Sequence, residues 1–73
     1  MTTVRTAKEL GILVRDARKA QGLNQDDLSG LSGTGRRFIS DLENGKETMQ
    51  LGKVLHVLGV IGISLNVIQK WKV

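Results

Sequence analysis

Apolar side chains recur every three or four residues through the first sixty positions, which predicts a bundle of short helices. The first helix is predicted to begin after Thr6, because Thr6 and Glu9 have the spacing of a capping box. It should end near Ala20, since Gln21 and Gly22 interrupt the pattern. The side chains expected on its apolar face are Leu10, Leu13, Val14 and Ala17.

A second helix is predicted to follow the N-cap residue Asn24, because carboxylates fill its first turn, where they meet the positive end of the helix dipole. Gly33 should end this helix by adopting a positive φ. Leu28 and Leu31 are predicted to point inward. The helix is therefore short, with its polar start at Gln25.

Two more helices are predicted after a turn that contains glycine. The third ends at Asn44 and Gly45, and the fourth is capped by Thr48 and broken by Gly59 and Gly62. The inward side chains expected in the third helix are Phe38, Ile39 and Leu42. Those expected in the fourth are Leu51, Val54, Leu55 and Leu58.

From Ile63 onward the apolar positions alternate, which is typical of a strand with one apolar face. The predicted apolar side carries Ile63, Leu65, Val67, Gln69, Trp71 and Val73. Because the rest of the chain offers no convincing partner strand, we expect this one to pair with its copy in a symmetric homodimer. The predicted fold is therefore an all-α, four-helix domain over residues 1–61 with a C-terminal dimerisation strand over 62–73.

Composition narrows the class of protein. A chain of 73 residues forms one domain, which buries only about 60% of its unfolded surface, so a second copy should add stability. The absence of cysteine excludes disulfides and thiolate metal sites, and a single histidine disfavours zinc. Aromatic residues make up 3% of the chain, too few for a platform that stacks single-stranded bases. With no membrane span or signal peptide, we expect a soluble, cytoplasmic protein.

Charge points to an acidic partner, although its distribution is uneven. The net charge is +4 and the isoelectric point about 10.0. Residues 1–23 and 51–73 each carry +3, whereas residues 24–50 carry three bases and five acids, a net charge of −2. Composition therefore places nucleic acid only modestly ahead of other acidic partners.

The second and third helices with their tight turn form a helix-turn-helix arrangement over about residues 25–44. The residues from Leu23 to Gln25, with Leu28, Gly33 and Ile39, resemble the lambda-repressor/Cro (Xre-type) helix-turn-helix family. The stretch 36–46, with residues 51–55, further resembles the HipB-like branch, antitoxin repressors that partner HipA-like kinases. Departures from the family pattern are the poor helix formers Ser29, Gly30 and Ser32, and Gly35 in place of a capping serine or threonine.

This resemblance implies a cytoplasmic, nucleoid-associated transcriptional repressor. As a homodimer it would bind a palindromic operator in double-stranded DNA, and as the antitoxin of a HipA-like toxin it would regulate its own operon. Two alternatives stay open: a stand-alone phage-type repressor, and an antitoxin that acts mainly by binding protein. No cofactor, metal or catalytic residue is expected, because no spacing of serine, aspartate and histidine suggests a nucleophile or an acid–base pair.

The resemblance also assigns the DNA-binding residues. Arg36 and Arg37, at the start of the third helix, would read bases, because arginine matches guanine O6 and N7. Ser40 and Asp41 lie one turn further, on or near the same outward face, and are further candidates for reading bases. The expected phosphate contacts are Gln25, Thr34, Gly35 and Lys46. Each of these polar residues could instead be an ordinary solvated side chain.

Two other charged positions are expected to be structural. In the resembled family, the arginine and glutamate that match Arg18 and Glu43 form a largely buried ion pair between the first and third helices. His56 should lie at the surface or at an interface, because it falls outside the apolar stripe of the fourth helix.

Overall fold

A computed structural model of the protein describes residues 2–71. Met1 and Lys72 lie outside this part, as does Val73, which we predicted on the apolar side of the strand. The described chain contains four α-helices, in agreement with the predicted all-α bundle: α1 (Ala7–Ala20), α2 (Gln25–Ser32), α3 (Arg36–Glu43) and α4 (Leu51–Val60).

The predicted helix starts are confirmed for the first two helices. Thr6 Oγ1 accepts a hydrogen bond from Glu9 N at 3.0 Å, which satisfies an N–H of the first turn of α1. At α2, Asn24 and Asp27 form a reciprocal capping box, with distances of 2.7 and 2.9 Å. Gly33 ends α2 with a φ of 70°, the conformation predicted for it.

The core lies where α3 packs against both α1 and α2, and where α2 packs against α4. It is formed by eight buried apolar side chains: Val14, Leu28, Ile39, Leu42, Val54, Val57, Leu58 and Ile61. Gly11 allows α1 and α3 to approach closely, because a Cβ atom at this position would overlap the carbonyl oxygens of Leu42 and Glu43. The closeness of these helices fixes the position of α3.

Two predicted apolar faces are wrong in part. Leu31 is 62% exposed, and Leu51 and Leu55 are exposed as well. The buried positions are instead Val54, Val57 and Leu58 of α4, with Ile61 directly after the helix. Both sets have helical spacing and share two members, so periodicity could not choose between them; packing against α2 selects the later set.

The limits of α4 also differ from the prediction. The helix is preceded by Gln50 as N-cap, two residues after Thr48, which therefore does not cap it. Gly59 lies inside the helix, and the chain turns only at Ile61 and Gly62. A single glycine in a helix interior costs only about 0.5–1 kcal/mol, which the buried face of α4 outweighs.

The predicted C-terminal strand is absent from the described chain, whose residues 63–69 form neither helix nor strand before a turn at Lys70 and Trp71. A strand requires a partner with which to exchange backbone hydrogen bonds, and residues 2–71 provide none. Ile63 packs against the core, but the remaining apolar side chains of the segment are exposed, with Trp71 at 82%.

Candidate nucleic-acid interface

Three hydroxyl groups fix the turn between α2 and α3. Ser32 Oγ donates to the Leu28 carbonyl at 2.7 Å and lies 2.8 Å from Thr34 Oγ1, while Ser29 Oγ donates to the Thr34 carbonyl. Sequence reasoning treated Ser29 and Ser32 only as poor helix formers. Their side chains instead donate to backbone carbonyls of α2 and of the turn and so restrain the direction in which α3 leaves the turn.

The start of α3 presents two arginine side chains to solvent. Gly35 precedes the helix in an extended conformation, and Arg36 and Arg37 occupy its first two positions. Their side chains are 66% and 91% exposed. Because the positive end of the helix dipole lies here, these cations stand in an unfavourable field that a bound anion would relieve.

An open groove brings together residues from both helices of the motif. It is lined by Gln25, Arg36, Arg37, Ser40 and Asp41. All four residues predicted to read bases therefore share one surface with Gln25, predicted to contact phosphate. Thr34 and Gly35 lie in the turn directly before α3. Lys46 lies beside the groove, because its Nζ is 3.5 Å from the carboxylate of Asp41. Contact of these residues with DNA stays a prediction.

Each cation of this surface has a carboxylate nearby. Arg36 Nε lies 3.3 Å from Asp26 Oδ1, and Arg37 Nε lies 4.0 Å from Asp41 Oδ2. Asp41 therefore faces both Arg37 and Lys46. Asp26 was not predicted as part of the site, because its place in the first turn of α2 indicated only a favourable interaction with the helix dipole.

The predicted ion pair between Arg18 and Glu43 is present beneath the surface. Arg18 Nε donates to Glu43 Oε2 at 2.7 Å, and Arg18 Nη2 donates to Oε1 at 2.9 Å. Arg18 Nη1 also donates to the Leu23 carbonyl at 2.9 Å, and Gln25 Nε2 donates to Glu43 Oε1 at 3.2 Å. The pair thus joins α1 to α3 and holds the side chain with which α2 begins.

Hydrogen bonding and charge control the protonation of this pair. Burial acts to raise the pKa of Glu43, but hydrogen bonds from Arg18 and Gln25, with the charges of Arg18 and Arg15, outweigh it and lower that pKa. The hydrogen bond to Glu43 raises the pKa of Arg18 despite desolvation. Both groups are therefore charged at neutral pH, and the pair contributes no net charge.

Two side chains that sequence reasoning did not pair connect α4 to the rest of the domain. His56 Nε2 lies 2.9 Å from the Ser32 carbonyl, at the end of α2. Gln21 Nε2 donates to the Ile61 carbonyl at 2.9 Å and so attaches the end of α1 to the end of α4. Neither contact has a sequence signal, because the partners are backbone carbonyls distant in the chain.

None of the four described helices has the length and apolar composition needed to cross a membrane. Residues 2–71 also contain no group of three or more histidine, cysteine, aspartate or glutamate side chains that could hold a metal ion.

Comparison with known proteins gives consistent matches. The family model described as helix-turn-helix matches residues 14–68. An uncharacterized HTH-type transcriptional regulator, y4mF of Sinorhizobium fredii (strain NBRC 101917 / NGR234), is 51% identical over 65 residues, covering 89% of this chain and 86% of the relative.

Solved structures share the same fold. A chain of the HipA-HipB-O2-O3 complex matches with a TM-score of 0.85 and 18% identity, over 96% of this chain and 99% of that chain. The restriction-modification controller protein C.AhdI from Aeromonas hydrophila matches with a TM-score of 0.70 and 29% identity, over 80% of this chain and 84% of that chain.

Proposed function

Because the chain belongs to the helix-turn-helix family of the Xre, lambda-repressor-like type, we propose that it is a repressor that binds a palindromic operator in a sequence-specific manner. As a member of this family it is a transcriptional regulator and not an enzyme. In the proposed complex, α3 lies in the major groove, and the start of α2 lies against the DNA backbone.

The observation that carries this proposal is the groove formed by the starts of α2 and α3. Arg36 and Arg37 are exposed there, and a guanidinium group can donate two hydrogen bonds to guanine O6 and N7. Gln25 lines the same groove from the first position of α2, and the N-terminus of a helix favours phosphate. Base-reading and phosphate-contacting groups therefore face one side.

We assign the remaining phosphate contacts to the edges of this surface. Thr34 and Gly35 lie in the turn before α3, and Lys46 follows α3 at its other end. Contacts at both ends of a recognition helix would fix its register in the groove without reading sequence. In this arrangement Ser40 and Asp41 face the bases one turn beyond the arginines.

A palindromic operator requires two copies of the chain related by a two-fold axis, and we assign the dimer contact to residues 62–73. Within the described part, this segment exposes four large apolar side chains: Leu65, Val67, Ile68 and Trp71. Its apolar positions alternate along the sequence as in a strand, although residues 63–69 form no strand within the described chain. The same segment from a second copy would supply the hydrogen bonds and cover the apolar side chains, Ile63 and Leu65 lying nearest the bundle.

We further propose that the protein is the antitoxin of a HipA-like kinase and represses its own operon in the bacterial cytoplasm. The resemblance of residues 36–55 to the HipB-like branch and the shared fold support this. A dimer that binds DNA through α3 would leave α1 and the residues before it accessible, where the chain exposes Arg5, Lys8, Arg15 and Lys19. Such basic side chains would speed association with an acidic partner surface and select that partner.

Selection from a library of random duplexes tests the repressor proposal. The purified protein should enrich one palindromic sequence, and the DNA upstream of its own gene should contain that sequence. The variant Arg36→Ala/Arg37→Ala should enrich none, whereas Lys19→Ala, which removes a cation from the far end of α1, should enrich the same sequence. Failure of the unaltered protein to enrich any sequence would contradict the proposal.

Co-expression with the product of the adjacent gene tests the antitoxin proposal. If that product is a HipA-like kinase, affinity capture at moderate salt should recover a complex with this chain. Operator binding without recovery of the kinase would indicate a stand-alone repressor.

A further inference from the structure

We propose that Asp26 and Asp41 limit the affinity of the DNA-binding surface for DNA of any sequence, because they hold the cations that would otherwise contact phosphate. The inference deepens the proposed function and rests on it. It follows from an electrostatic contradiction: the segment that should contact DNA carries a net charge of −2, in a chain whose net charge is +4.

Part of the acidic charge of residues 24–50 lies at the DNA-binding surface, next to its cations. Glu43 is buried and paired with Arg18, so it makes no net contribution. At the surface itself, the three cations Arg36, Arg37 and Lys46 face the two carboxylates of Asp26 and Asp41. The surface therefore offers DNA phosphate little free positive charge.

Asp26 is placed to compete with DNA for Arg36. Its carboxylate lies 3.3 Å from the Nε of Arg36, and both side chains are mostly exposed. Nε is one of the guanidinium donors that a phosphate or a guanine would use. When Arg36 turns toward a phosphate it must therefore give up a charged partner that it already has, and the carboxylate is left near the phosphate backbone.

Asp41 acts on two cations at once. Its Oδ2 lies 4.0 Å from Arg37 Nε and 3.5 Å from Lys46 Nζ, and the Asp41 side chain is only 29% exposed. Lys46 is held close because its backbone N–H donates to the Asp41 carbonyl at 3.0 Å. The loop after α3 therefore fixes one carboxylate between two cations.

The cost of breaking these pairs falls on random and operator DNA alike. On random DNA the arginines gain only phosphate contacts, and each broken ion pair subtracts from that gain. On the operator the same cost is subtracted, but a correctly placed guanine adds two directed hydrogen bonds that exceed it. Because exposed ion pairs are weak, each should reduce binding to either DNA by about two- to fivefold, so that random DNA is bound weakly while the operator is still bound.

The decisive variant is Asp26→Asn, which keeps the size of the side chain and removes its charge. Its matched control is Asp16→Asn, which removes an exposed carboxylate from α1 that does not line the groove. Both variants add one unit of net charge, so a general electrostatic effect should be equal in the two. Thermal unfolding establishes that both are folded.

Fluorescence anisotropy with a pool of random-sequence duplexes, measured over a range of salt concentrations, provides the test. Asp26→Asn should bind the pool about two- to fivefold more tightly than Asp16→Asn. Its slope of log affinity against log salt should be steeper by about 0.9, because one more cation contacts phosphate. Operator affinity should rise by the same factor, so the ratio of operator to random affinity should stay unchanged for both variants.

Equal affinity of the two variants for the random pool, with equal salt slopes, would overturn the inference even if the operator is bound normally. If instead the unaltered protein enriches no sequence from a duplex library, the proposed function itself fails, and this inference fails with it. Asp41→Asn is a second variant: it should steepen the salt slope by up to about 1.8, since it releases both Arg37 and Lys46.

Discussion

The guanidinium of Arg18 and the carboxylate of Glu43 share two hydrogen bonds, of 2.7 and 2.9 Å, inside the protein. Through them α1 holds the end of α3, and the same carboxylate accepts a hydrogen bond from Gln25 at the start of α2. The two helices that line the candidate groove, α2 and α3, therefore meet α1 at one charged pair. This arrangement makes the pair a determinant of stability and of the geometry of the surface.

Breaking this pair from one side should destabilise the fold. Arg18→Met leaves the Glu43 carboxylate buried without its partner, which should lower the free energy of unfolding by about 3–5 kcal/mol. Urea denaturation measures the loss. Arg18→Met/Glu43→Leu, which removes both charges, should recover most of it, and equal stability of the single variant and the unaltered protein would refute a structural function.

Acidification should weaken the fold through the same pair. The pKa of Glu43 is lowered in the folded protein, so its ionised form stabilises the fold above the ordinary glutamate pKa of about 4.3. That contribution should be lost as the pH falls from this value through the lower pKa of the folded state. Denaturation curves at a series of pH values measure it. In Glu43→Gln the loss over this window should be smaller, and an unchanged pH dependence would contradict the assignment.

Gly11 should tolerate no side chain, whereas Gly30 should. Gly11→Ala places a methyl group against the carbonyl oxygens of Leu42 and Glu43, so α1 and α3 must separate, at a cost of about 1–3 kcal/mol. No described atom lies within 4 Å of a Cβ at Gly30, and alanine in this helical position should stabilise by about 0.5–1 kcal/mol. Melting temperatures should therefore shift in opposite directions; a shift of the same sign would be inconsistent with this packing.

Removal of the C-terminal segment should abolish the dimer. A chain that ends at Gly62 lacks the exposed apolar side chains of residues 63–71, and we expect light scattering to give the mass of one copy at concentrations where the full chain gives two. The truncated chain should still bind a single half-site, but it should bind the two half-sites of a full palindrome without cooperativity. If the truncated chain is still dimeric, the dimer contact must lie on the helical bundle, and the exposed Leu51 and Leu55 of α4 are the first residues to test.

Local signals in the sequence predicted the ends of the first two helices. Thr6, Asn24 and Gly33 each act on backbone groups within a few residues, so their caps could be read directly from the sequence. Long-range choices could not. Whether Leu55 or Val57 of α4 is buried depends on where α2 lies, and whether residues 63–71 form a strand depends on a partner outside the chain.

In the candidate site, too, the sequence predicted some residues and missed others. The exposed position of Arg36 and Arg37 could be predicted because they start a helix in a recognisable motif, and the pairing of Arg18 with Glu43 came from the family resemblance. The contact between Asp26 and Arg36 had no such signal, because the two residues belong to different helices and meet only through the packing of α2 on α3. The serine hydroxyl groups that fix the turn were missed since serine is also a poor helix former.

The central claim, that the start of α3 reads bases, is tested most directly by comparing binding of Arg36→Ala and Arg37→Ala to the selected operator and to a scrambled duplex of the same composition. Each substitution should weaken operator binding by about 1–3 kcal/mol and scrambled binding by much less. Gln25→Ala and Lys46→Ala should weaken both equally and make the salt dependence shallower. Equal losses on the two duplexes for the arginine variants would contradict the account.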